Sequence, residues 1–189
     1  MDGIHIGFLT DFGQVTDLSD TYIVRVSPMN FEQPVELIAR NLHDFLCMLC
    51  FHPQLLDWDA EQSPLHNQVS TALQLKPIET SSTYLAQLQQ IRMQSITMAT
   101  LDGIGVAHHL EHEKEAISLF NFKNKDTLTL NEVIKFFHQA TYPSKLGFLR
   151  DAQSKGLIWD NNAVKQFVKK QLIHLGLHDE AERIDYPAY

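Results

Sequence analysis

Hydrophobic and polar positions change rhythm along this chain. Before about residue 40, short apolar runs alternate with turn-forming residues: GIHIGFLT, TYIVRVS and PVELIAR. In the second run Tyr22, Val24 and Val26 fall on one face and Ile23 and Arg25 on the other, the two-residue period of a strand. The connectors DFGQVTDLSD and PMNFEQP carry the Gly, Asp, Asn and Pro of turns. Connections this short predict strands paired antiparallel as a meander.

The period then lengthens. Leu42, Phe45, Leu46 and Leu49 repeat at helical spacing, with Asn41 as N-cap and Asp44 three residues on in a capping-box-like position. Pro53 closes this helix, PQLLDWDAEQSP reads as loop, and LHNQVSTALQL and SSTYLAQLQQIR as further helices. SITMATLDGIGVAHH returns to strand character. From about residue 109 the pattern is helical throughout, in HLEHEKEAISLF, LTLNEVIKFFHQA, PSKLGFLRDAQSKG and NNAVKQFVKKQLIHLGL. Thr129 or Asn131, Ser144, and Asn161 or Asn162 are expected caps, and Gly156 and Gly176 expected stops. The fold class expected is α+β: an N-terminal antiparallel sheet with packed helices over 1–107, and an all-helical region over 108–189 packed on it as one unit.

Composition changes this picture little. At 189 residues, 44% hydrophobic and 20% charged, the chain can bury a sizeable core. No apolar run approaches the roughly 20 residues that span a bilayer. MDGIHIGFLTDFG lacks the basic start of a signal peptide, so a cytoplasmic location and no membrane partner are expected. Charge says more. Residues 1–95 hold four basic side chains against eleven acidic ones, a net of −7, whereas the remainder nets −1. An acidic front half repels phosphate backbones, which argues against nucleic acid and suits a basic protein.

Candidate chemistry is sparse. HHLEH at 108–112 fits the inverted zincin pattern, with His108 and His112 as zinc ligands and Glu111 as base, and Glu180 or Glu182 at a suitable distance for a third ligand. Its context, a strand giving way to a solvated helix start, favours a polar surface over a metal centre. NFKNKDTLTLNE (121–132) has the length of a calcium loop, but Lys123 and Lys125 occupy ligand positions. The DFG at 11–13 lacks every other kinase element and reads as a turn. Cys47 and Cys50 lie in an apolar helix, where they are expected as buried thiols rather than a redox pair. No cofactor, metal or catalytic residue is expected.

One segment resembles a known family. Strands followed by Ile38-Ala39-Arg40-Asn41-Leu42-His43-Asp44-Phe45-Leu46 are similar to the hallmark of the SUKH superfamily, in which a strand ending in an apolar–Ala pair meets a capped helix. The resemblance covers about residues 3–50. It implies that Ala39, Asn41, Leu42, Phe45 and Leu46 are scaffold positions. It also implies a non-enzymatic interaction module, as in regulators of cell-wall synthesis and immunity proteins that neutralise toxins, often nucleases. On that reading the expected docking residues are the acids of the early turns, Asp11, Asp17, Asp20, Glu32 and Glu36, with Tyr22 as an aromatic anchor. The alternatives are a small zinc-dependent hydrolase built on the HxxEH motif and an oligomeric structural protein.

Overall fold

A computed structural model describes residues 3–27, 30, 33–56, 64–78, 82–107 and 116–185. The fold is α+β, with a three-stranded antiparallel sheet, a smaller two-stranded one and seven α-helices among the described residues. The chain forms two compact units, residues 1–27 with 35–94, and 95–189 with 28–34. No helix among the described residues is long and apolar enough to cross a membrane.

In the first unit the predicted meander is present: β1 (His5–Phe8), β2 (Ile23–Val26) and β3 (Val35–Ala39), in that order. The register places Arg25 opposite Glu36 and Ile23 opposite Ala39, with an irregularity between Ile23 and Val24. Three helices follow: α1 (Leu42–Phe51), α2 (Pro64–Ala72) and α3 (Ser82–Gln94). Asn41 caps α1 as expected, its side chain accepting the Asp44 N–H at 2.8 Å. The Asp44 carboxylate does not complete the box. It is buried and accepts from Tyr84 Oη of α3 at 3.0 Å, so the same residue ties α1 to α3.

Ile23, Ile38, Ala39 and Met48 form the core between sheet and helix, with Phe45 and Tyr84 packed against it. Cys47 and Cys50 are both buried free thiols in a second cluster with Leu75. Desolvation pushes both thiols up from their ordinary range, which keeps them protonated and unreactive.

The turn after β1 is under strain. Asp11, Phe12 and Gly13 all have positive φ, at 47°, 61° and 74°. For Asp and Phe that conformation costs roughly 1–2 kcal/mol each. A buried ion pair opposes the cost: both oxygens of Asp11 accept from Arg92 of α3, at 2.6 and 2.8 Å, and Arg92 is itself 2% exposed.

In the second unit β4 (Ile96–Met98) pairs with β5 (Val106–Ala107) and both pack on α5 (Tyr142–Ser154). That packing places the division at Gln94/Ser95, ahead of the 107/108 boundary read from the pattern. The other helices are α4 (Leu130–Gln139), α6 (Asn162–His174) and α7 (His178–Arg183). Six phenylalanines, 120, 122, 136, 137, 148 and 167, make linked ring contacts at 4.7–6.0 Å. Asn161 both caps α6 and donates Nδ2 to the Leu128 carbonyl at 3.0 Å. Gly156 and Gly176 take positive φ just beyond α5 and α6, as their expected role as stops requires.

Two expectations need correction here. The helix read over HLEHEKEAISLF does not include its last five residues: Ala116–Phe120 has no regular secondary structure. Its backbone is held by side chains instead, Ser144 Oγ accepting the Ser118 N–H at 2.8 Å and Thr141 Oγ1 donating to the Ala116 carbonyl at 2.9 Å. Residues 108–115 lie outside the described residues. Accordingly Ser144 does not cap α5; Thr141 is its N-cap and Pro143 stands in the first turn.

Two predictions follow from these contacts. Arg92→Met strands the Asp11 carboxylate and should lower stability by about 3–5 kcal/mol, most of it regained in the Asp11→Asn/Arg92→Met double variant, as read from urea midpoints. A Cβ added at Gly105 meets Ile96 Cδ1 at 2.5 Å and the Met98 carbonyl at 2.9 Å, at a φ of +73°. At Gly147 it meets only the movable end of Met98, with Sδ at 2.5 Å. Gly105→Ala should therefore lower the melting temperature further than Gly147→Ala.

Candidate functional site

The acids expected on a docking face separate into distinct groups once placed. Asp11 is not on the surface: it is 6% exposed and bound to Arg92. Glu36 is half-buried and neutralised by its cross-strand partner Arg25, whose Nε donates at 3.0 Å. Tyr22 is half-buried with the Arg92 guanidinium 5.7 Å from its ring centre, so its ring serves the interior. Glu32 lies outside the described residues. Asp17 and Asp20 remain exposed, at the two ends of a short 3-10 turn, Leu18–Asp20.

That turn is ordered by its own chemistry. Asp17 accepts from Ser19 through both the backbone N–H (2.9 Å) and the hydroxyl (2.6 Å), and Thr21 Oγ1 donates to the Asp17 carbonyl. The Ser19 hydroxyl bond, then the backbone one, hold the Asp17 carboxyl below its ordinary range, so it stays anionic. Leu18, between the two acids, is 42% exposed, and the turn packs beside α1, whose Leu42 is 40% exposed. The result is a fixed apolar knob flanked by two carboxylates.

The strand-to-helix junction holds a second polar group. Tyr84 Oη donates to Asp44 and accepts the Arg40 N–H at 3.1 Å, while Arg40 reaches Asp44 at 3.4 Å. Burial pushes the Tyr84 phenol up to about 12. A cleft of about 230 Å³ opens here, lined by Arg40, Asp44, Ile78, Tyr84, Leu88 and Ile91. Arg40, Asp44 and Tyr84 are partnered with one another, which marks them as structural; Gln87, on the rim of the cleft, is exposed.

In the second unit, Asp102 and Asp151 are both buried. Asp102 accepts from Thr100 Oγ1 (2.5 Å), the Ile104 N–H (3.0 Å) and Arg150 (3.1 Å). Among the described residues the Asp151 carboxylate accepts only the Leu101 N–H, at 2.7 Å. Desolvation raises its carboxyl to about 6; the Leu101 bond opposes this, neighbouring Asp102 adds to it, and Arg150 and Lys155 oppose it. Nothing in the sequence marks Asp151, which is one acid within an amphipathic helix.

The metal candidates fare as follows. His108, Glu111 and His112 lie outside the described residues; Glu180 is half-buried and Glu182 exposed on α7. Among the described residues no group of three His, Cys, Asp or Glu side chains is placed to hold a metal ion. In the 121–132 loop, Glu132 accepts from Lys125 Nζ at 2.7 Å and from the Thr129 N–H at 2.9 Å, closing the capping box of α4. Comparison with protein-family models, curated proteins and solved structures finds no match to this chain.

The Asp151 proton has a consequence for stability. A carboxyl raised on folding binds protons more tightly in the native state, so its contribution is full below the unfolded value near 4 and is lost as pH rises through about 6. Asp151→Asn keeps the acceptor for Leu101 without the charge. It should gain on the order of 1–2 kcal/mol over wild type between pH 4.5 and 7.5, measured by chemical denaturation at both.

Proposed function

We propose that this chain is a non-enzymatic binding protein, a SUKH-like immunity or regulatory module that occludes a basic partner such as a toxin or nuclease, in the cytoplasm. What supports the SUKH-like reading is the junction at residues 38–49. A strand ending in Ile38-Ala39 runs into a helix capped by Asn41, and Ala39, Phe45 and Met48 pack there as scaffold. Its polar groups are engaged with one another.

The observation that carries the docking mode is the turn at 17–20. Two exposed carboxylates flank an exposed leucine there, and the turn that presents them is held by the hydrogen bonds of Asp17, so its backbone loses little entropy on binding. Fixed negative charge steers a basic partner to the surface and speeds encounter, and Leu18 supplies apolar contact once water is displaced. Asp17 and Asp20 thus carry the role, while Asp11, Glu36 and Tyr22 serve the scaffold through Arg92 and Arg25.

Asp17→Asn/Asp20→Asn removes both charges and keeps the acceptor that Ser19 needs. Native lysate passed over immobilised wild type at low salt should yield basic proteins. The double variant should retain them about tenfold less, and high salt should release them from wild type. Equal retention on both surfaces, recovery of acidic partners only, or no captured protein would count against the proposal.

A further inference from the structure

A groove of about 670 Å³ opens on the second unit, between the turn after β4 and the extended segment leading to α4. Leu101, Leu119, Phe120 and Phe122 form its apolar wall; Lys123, Lys155 and Asp151 supply its charges. The volume suits a small organic ligand. The wall is rigid on one side, because Phe120 and Phe122 lie 4.7 Å apart and both contact Phe148 in the core. It is open on the other, where Leu119 is 71% exposed and Leu101 54%.

The charges decide what kind of ligand fits. Lys123 and Lys155 are exposed, and neither forms a salt bridge among the described residues. Asp151 is more than nine-tenths buried, yet only Oδ1 is engaged, by Leu101; Oδ2 accepts no hydrogen bond among the described residues. Arg150 is turned to Asp102. Two ammonium groups against one carboxylate leave a surplus positive charge beside an apolar wall. An inorganic anion would leave the wall unfilled, and a neutral or cationic amphiphile would leave the ammonium groups unanswered.

We infer that this groove binds a small amphipathic carboxylic acid, its anionic head taken by Lys123 and Lys155 and its aryl or medium-chain alkyl body laid on Leu101, Leu119, Phe120 and Phe122. This is a second site, independent of the acidic turn of the first unit. Asp151 shares the polar wall with the bound head. When ionised it repels that head, and when protonated it can donate to it. The groups that face or flank Asp151 are Asp102, Arg150, Lys155, Lys123 and the Leu101 N–H. Binding therefore tightens as pH falls through about 6, where Asp151 takes its proton.

Isothermal titration of the full chain with decanoate tests this, with decan-1-ol and decylammonium as parallel arms. Saturable one-to-one binding of decanoate is expected, about tenfold tighter than the alcohol, with no binding of the amine. Lys123→Gln and Lys155→Gln should each weaken it about fivefold, and Leu119→Glu, at an exposed position, should abolish it with the circular dichroism spectrum unchanged. Between pH 8 and 6 wild type should tighten about threefold, and Asp151→Asn should flatten that dependence. Equal affinity for acid and alcohol, unaltered binding in both lysine variants, or no saturable binding would overturn the inference.

Discussion

A carboxylate withdrawn from water must find donors, and the architecture of this chain is organised around that requirement. Asp11, Asp44, Asp102 and Asp151 are all buried. Asp11 joins the turn after β1 to α3 through Arg92, and Asp44 joins α1 to α3 through Tyr84. Asp102 folds the turn after β4 onto α5 through Arg150, and Asp151 returns the bond from α5 to Leu101 in that turn. In each case the tie joins two segments that are separate elements of the chain. The strained 11–13 turn is the clearest example, since Asp11 and Phe12 both take positive φ where the guanidinium meets the acid.

These ties also change how the charge of the chain is to be understood. A net of −7 over the first 95 residues looks like a broad acidic surface. With Asp11 and Asp44 internal and Glu36 paired across the sheet, the exposed acids among the described residues of this half are Asp17 and Asp20. Formal charge counts residues, whereas a partner meets only exposed and unneutralised ones. Two acids on an ordered turn beside Leu18 are a more selective feature than a diffuse negative face.

Local signals were legible and long-range ones were not. The meander, the helices α1 to α6, the caps at Asn41, Thr129 and Asn161 and the stops at Gly156 and Gly176 follow from period, capping chemistry and positive φ within a few residues. Arg92 pairs with a residue 81 positions away, and nothing near it distinguishes a buried guanidinium from a solvated one at a helix end. The scarcity of basic residues in that half was the one available hint. Glu and Lys upstream of residues 116–120 favour helix, whereas Phe120-Asn121-Phe122, apolar at a spacing of two, is the signal of the extended segment found there.

The four aspartates differ in what meets them, and the difference separates scaffold from site. Asp11 has a bidentate guanidinium, Asp44 a phenol, a capped helix start and Arg40, and Asp102 a hydroxyl, an N–H and a guanidinium. Asp151 has a single neutral N–H. Its second oxygen faces the groove instead of a fixed donor, so water, a proton or a ligand can meet it there. That this member lines the groove, beside an exposed leucine and two lysines that form no salt bridge among the described residues, is what distinguishes this wall from the network around Asp44. Stability alone would favour a second donor at Asp151 and a polar side chain at Leu119, and the groove offers neither.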